Sequence, residues 1–176
     1  MTATGMFGVA LLVLMPALVC GQQSAGELSP QLKVPEGTKL VLHAHAKGDQ
    51  VYTCKQDGGQ YSWTLKAPDA QLFDQSGKAI GRHFGGPTWE LNDSSAVVGK
   101  VAARFDPPDK DSVPWLLLTA SDHSGKGLMN NVTHIQRLNT RGGKAPAAGC
   151  DASHVGTETR VAYTADYFFY GNEPGK

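Results

Sequence analysis

The stretch Lys39-Leu40-Val41-Leu42-His43-Ala44-His45-Ala46-Lys47-Gly48-Asp49 decides the fold class. Leu40, Leu42, Ala44 and Ala46 recur at every second residue, and Val41, His43, His45 and Lys47 fill the alternate positions. Successive side chains of a strand project to opposite faces, so this pattern predicts a strand with one apolar and one polar face. Gly48-Asp49 reads as a turn, and Gln50 to Lys55 as the return strand of a hairpin. Asp57-Gly58-Gly59 predicts the next turn, after which Tyr61, Trp63 and Leu65 alternate with Ser62, Thr64 and Lys66.

The same alternation continues to the end of the chain. Ala67-Pro68-Asp69 reads as a turn into a short strand from Gln71 to Asp74, and Gln75 to Lys78 as another turn. Ala79 to Phe84 predicts a strand stopped by Gly85-Gly86-Pro87, with Trp89 and Leu91 alternating beyond it. Val97 to Phe105 gives the cleanest long alternation, and Asp106 to Ser112 reads as a loop. Pro114 to Ala120, with its run of leucines, predicts a strand buried on both faces. Asn131 to Thr140 adds a further strand, and Arg141 to Ser153 a loop carrying Cys150. Arg160 to Tyr170 places Val161, Tyr163, Ala165, Tyr167 and Phe169 on one face. These elements predict an all-β single domain over residues 34–172, an antiparallel β-sandwich or barrel of about nine or ten strands.

Charge excludes one class of partner. Sixteen basic and sixteen acidic residues cancel, and no basic stripe is available to neutralise phosphates, so nucleic-acid binding is not expected. The N-terminus carries a different signal. Met6 to Val19 is an apolar run broken only by Pro16. Its roughly 14 residues fall short of the ~20 a membrane span needs but suit a signal-peptide core. Residues 1–21 are therefore read as a signal peptide and 22–33 as a flexible tether, with no membrane span. Cleavage after Gly21 removes Cys20 and leaves Cys54 and Cys150, which a secreted, periplasmic or envelope location would oxidise to a disulfide. An alternative reading makes Cys20 a lipidated N-terminus, the site of a lipid anchor.

Several blocks carry a family likeness. Gly48-Asp49-Gln50-Val51-Tyr52-Thr53-Cys54 is followed by Trp63 and by Ala67-Pro68-Asp69-Ala70. Gly81-Arg82-His83-Phe84-Gly85-Gly86-Pro87-Thr88-Trp89-Glu90 and Val113-Pro114-Trp115-Leu116-Leu117-Leu118 come next. Val132-Thr133-His134-Ile135-Gln136-Arg137, Gly149-Cys150-Asp151 and Tyr163-Thr164-Ala165-Asp166-Tyr167 complete the set. From about Val34 to Tyr170 the chain resembles the secreted bacterial and fungal proteins grouped as domain of unknown function 3455. The resemblance implies one extracytoplasmic domain and a Cys54–Cys150 pairing, without an activity. The chain has no Gly-x-Gly-x-x-Gly between a strand and a helix, which argues against dinucleotide binding.

Three groups of residues invite chemistry. His43 and His45, two apart on one strand, project from the same face, a spacing able to chelate copper or zinc. His83, His123 or His134 would complete such a site if folding brought one of them near. His83 and Glu90 flank the Gly85-Gly86-Pro87 turn and form a candidate acid–base pair. Asp166 is an acid within the apolar final strand, placed on a solvated face or held by hydrogen bonds. Tyr52, Tyr61, Trp63, Trp89 and Trp115 supply aromatics for a surface that binds carbohydrate or another small ligand. The leading expectation is a non-enzymatic binding or envelope-associated module without a cofactor. The alternative is a copper- or zinc-dependent or acid–base enzyme using His43, His45, His83 and Glu90.

Overall fold

The computed structural model describes Met1 and residues 28–172; the expected signal peptide and Cys20 lie outside the described residues. Eight strands follow one another around a closed antiparallel barrel: β1 (Lys39–Asp57), β2 (Gln60–Phe73), β3 (Ala79–Phe84), β4 (Thr88–Leu91), β5 (Ala96–Phe105), β6 (Trp115–Ser124), β7 (Val132–Gly142) and β8 (Glu158–Gly171). The all-β expectation holds and the architecture is the barrel. Closure comes from β1, which pairs along one edge with β2 and along the other with β8. Among the described residues no helix is long and apolar enough to cross a membrane.

The strand number is eight because two segments read as turns are strand interior. Gly48-Asp49 lies inside β1, where Gly48 pairs with Ala70 of β2 on one side and Tyr163 of β8 on the other. A Cβ at Gly48 would lie 2.2 Å from the Asp69 carbonyl oxygen and 2.5 Å from the Ala70 Cα. Glycine is there because two backbones approach closely, not because the chain reverses. Ala67-Pro68-Asp69 is likewise continuous with β2. Pro68 lies beyond the last β2–β3 pair, Ala70 with His83, on a stretch of β2 with a single neighbour, an edge position that proline tolerates. A register shift between Val51 and Tyr52 bends β1 around the wall.

The interior alternates small and large side chains. Ala44 faces Tyr167 and Ala46 faces Ala165 across the β1–β8 ladder, leaving room for Trp89, Tyr167 and Phe169, which are fully buried. The Trp89 and Phe169 rings meet edge to face at 6.0 Å. Gly99 accommodates the indole: a Cβ there would come within 2.9 Å of the Trp89 ring. One end, the base, is closed by apolar packing. There the 3-10 turn Leu128–Asn131 inserts Met129 into a core that includes Leu91, Val132, Ile135 and Phe169. Within the segment read as a tether, Pro30–Leu32 form a 3-10 turn packed on β5 and β6. Leu32 is fully buried and its carbonyl accepts a 2.6 Å bond from the Gln136 amide. Leu117 and Leu118 of β6 are both buried, the two-sided burial expected of that run.

The opposite end carries the long β7–β8 connection. Cys150 in this loop is bonded to Cys54 of β1 across a sequence separation of 96 residues. The Trp63 indole N–H donates to the Ala148 carbonyl at 2.9 Å, and Cys54 exchanges backbone bonds with Gly156 and Thr157. Closing a loop of this length removes denatured-state entropy worth about 4–5 kcal/mol in chain-entropy terms. Two outcomes follow. Cys54→Ser/Cys150→Ser is expected to lose about 4 kcal/mol of stability, measured as a drop in the urea midpoint with an intact far-ultraviolet β spectrum. Gly48→Ala is expected to lose about 2 kcal/mol or more, because the added methyl meets backbone that cannot move aside.

Candidate functional site

The end of the barrel opposite the Met129 base is hollow. Two adjoining cavities of about 380 and 600 Å³ share Gln50, Leu65, Val101, Leu116 and Arg137 as walls. His83, Trp89 and Tyr167 complete the deeper one, so every one of the eight strands contributes a wall residue. This is the interior of the barrel rather than a crevice on its surface. Leu65 and Val101 are 51% and 52% exposed, an apolar lining left open at the mouth.

The floor is polar and incompletely bonded. The Gln50 amide nitrogen, the Trp89 indole nitrogen and the Tyr163 and Tyr167 hydroxyls are buried without a hydrogen-bond partner among the described residues. They crowd together: the Tyr163 hydroxyl lies near Tyr167 and Gln50, and that of Tyr167 near Arg137 and Trp89. Burial raises the pKa of both phenols, so each keeps its proton and can donate. The Arg137 Nε–H donates to the Pro114 carbonyl at 3.0 Å, and among the described residues no carboxylate pairs with it. Tyr52, at the upper wall, donates to the Gly143 carbonyl at 2.6 Å.

His83 is part of this floor. Its Nδ1–H donates to the Thr88 carbonyl at 2.9 Å, which fixes Nε2 as an acceptor. The ring stacks on Trp89 at 4.4 Å and meets Tyr167 edge-on at 5.1 Å. Burial drives its pKa down to about 3, so the imidazole is neutral. Glu90, its expected partner, lies elsewhere. His83 pairs with Trp89 across the β3–β4 ladder, and Arg82 with Glu90 at the adjacent register. Alternation therefore sends Glu90 to the outer face, where it takes a 3.1 Å ion pair from Arg82.

His43 and His45 also lie on the outer face, away from His83, and so the four residues of the enzymatic alternative do not converge. The two histidines do meet a third residue. Asp166 of β8 stands directly opposite His45 in the ladder, and its Oδ1 lies 2.5 Å from His45 Nδ1 and 3.7 Å from His43 Nε2. The signal for Asp166 was a single acid out of phase with an apolar strand face; its register with His45 is a long-range property. His123 and His134 do not join them: the first bonds the Val132 carbonyl and the second the Thr133 hydroxyl. The expected aromatic surface is dispersed. Trp89 and Tyr52 are buried, Tyr61 and Trp63 line a small crevice under the Pro146–Cys150 segment, and Trp115 packs on Phe105.

The pKa of His83 makes an acid-stability test. A histidine neutral in the folded state contributes stability that is complete above its unfolded pKa near 6.5 and is lost as pH falls towards 3. Between about pH 6 and pH 5, before most carboxylates begin to titrate, this one group is expected to lower stability by up to ~1.4 kcal/mol per pH unit. Urea unfolding at several pH values is expected to show that slope, and His83→Asn, which keeps a donor to Thr88, is expected to flatten it.

Residues 35–171 match the profile of a family described as "Protein of unknown function (DUF3455)". No curated protein and no solved structure matches the chain.

Proposed function

This chain belongs to the DUF3455 family, whose description assigns no activity, and from its geometry we propose that it is a non-enzymatic binding protein holding a small amphiphilic anion inside the barrel. The observation that carries the reading is Arg137. A half-buried guanidinium lining a barrel interior, with no carboxylate within ion-pair distance among the described residues, is a costly arrangement unless a ligand supplies the charge. The unpartnered Gln50, Trp89, Tyr163 and Tyr167 groups add donors around the same point, and all can bond an oxyanion. Leu65, Val101 and Leu116 supply an apolar sleeve for the rest of the molecule.

Scale agrees with the chemistry. An eight-stranded barrel is just wide enough to be filled by side chains or to hold one small ligand. Here one half takes each course. The volumes of about 380 and 600 Å³ fall in the range of ordinary small-molecule sites. An extracytoplasmic location fits this role. The apolar run from Met6 to Val19 supports export, and the Cys54–Cys150 disulfide is compatible with an oxidising compartment.

Octanoate and octanol separate the two halves of the reading. Calorimetry is expected to give binding of octanoate at one per chain, with octanol at least tenfold weaker. Arg137→Gln is expected to remove most of that difference, while Leu65→Asp is expected to weaken both ligands. Equal affinity for acid and alcohol, or an acid preference untouched by Arg137→Gln, sinks the assignment.

A further inference from the structure

The outer wall of the barrel, behind the cavity, holds a second site. We propose that His43, His45 and Asp166 form a binding site for a divalent transition-metal ion of the zinc or copper type. The proposal is independent of the interior ligand, because the histidines and Asp166 face away from the barrel axis.

The cluster arises from two periodicities. His43 and His45 share a face because they are two residues apart on β1. Asp166 joins them because β8 closes the barrel against β1 in a register that pairs His45 with Asp166. One ligand atom from each residue lies within 4.8 Å of the others. Ligands bound tetrahedrally to zinc at about 2.0–2.1 Å stand about 3.4 Å apart. The His43 Nε2 to Asp166 Oδ1 distance of 3.7 Å is already close to that. The 2.5 Å His45–Asp166 contact is a hydrogen bond that an ion would replace with an opening of about 1 Å.

Two further observations point to a ligand. His43 Nε2 is buried and has no hydrogen-bond partner, although it faces the carboxylate. A polar nitrogen left without a partner costs stability unless something completes it. The surroundings also orient the donors. The His43 ring lies stacked on Phe168 at 4.1 Å. Asn139 donates from its amide to Asp166 Oδ2 at 2.8 Å, leaving Oδ1 directed at the histidines. Asn139 lies at the register shift between Leu138 and Arg141, with a left-handed φ of 51° that asparagine adopts more readily than most residues. Hydrogen bonds from neighbouring groups fix the orientation of a metal-binding carboxylate in this way.

Two imidazoles and a carboxylate suit zinc and copper, and three protein ligands leave a coordination position open. His45 and Asp166 line a cleft whose other walls include Phe73, Asp74, Asn139, Lys47 and Arg141. The further acid lining this cleft is Asp74, whose carboxylate accepts bonds from Ser76 and Lys78. Charge compensation for the ion therefore falls to Asp166, with water or an anion in the open position.

The test uses the disulfide-bonded chain without a histidine tag, stripped with chelator and titrated with Zn²⁺ and, separately, Cu²⁺. One ion per chain with micromolar or tighter affinity is expected. His45→Gln, a change at a half-exposed side chain that leaves the core intact, is expected to weaken binding at least thirtyfold, and Asp166→Asn at least tenfold. Electron paramagnetic resonance of the Cu²⁺ form is expected to show two nitrogen donors, reduced to one in His45→Gln. His154→Ala removes another histidine–carboxylate contact, with Asp151, and is expected to change nothing. Absence of one-to-one binding, binding unaltered in His45→Gln, or equal loss in His154→Ala would overturn the proposal and leave the cluster as an ion pair.

Discussion

The structure depends on one ladder, that between β1 and β8. Strands β1 to β8 in sequence order form only a curled sheet until the first and last meet, and β1 runs 19 residues so that it can serve both β2 and β8. That closure removes both sheet edges, the feature that makes exposed strands prone to pair with other chains. It also sets what faces what. Ala44 and Ala46 of β1 come under Tyr167 and Ala165, giving the interior room for aromatics. One residue away, on the other face, His45 comes against Asp166. Core and outer cluster are two faces of the same register, and a slip by one residue would exchange them.

Two packing regimes divide the interior between its ends. Near the base, Met129, Leu91, Ile135 and Phe169 belong to one buried apolar cluster. Toward the mouth the same alternation supplies Gln50, His83, Tyr163, Tyr167 and Arg137, groups that cannot all satisfy one another. A polar network left incomplete is worse for stability than an apolar filling. Its presence in one half only, with a packed half beside it, separates a stabilising layer from a binding layer. The neutral state of His83 belongs to this pattern, since a charged imidazole against Arg137 would add repulsion to burial.

Period-two reading found the wall of the barrel because alternation is local. Ala79 to Phe84 was legible to the residue, and the long strands near Val97 and Tyr163 were legible within two. Gly48-Asp49 and Ala67-Pro68-Asp69 read locally as turns because glycine and proline usually mark reversal. What those residues answer here is close approach of a neighbouring strand and a missing one, both of which depend on partners distant in sequence. The same limit applies to function. His43 and His45 were legible as a same-face pair, whereas Asp166 and Asn139 become their neighbours only through pairing of β8 with β1 and β7. The interior position of Arg137 was hidden for a related reason. A basic residue in a half-alternating run reads as surface unless the register beside it is known.

The pairing of Lys39 with Gly171 places the beginning of β1 beside the end of β8, at the packed base. The cavity opens at the other end. Whatever is joined beyond β8 is therefore held at the foot, away from the opening, whereas the chain before β1 runs back along the outer wall, where Gln31 bonds the Arg104 carbonyl beside the mouth. The two ends of the described chain thus leave the barrel at different heights along its wall.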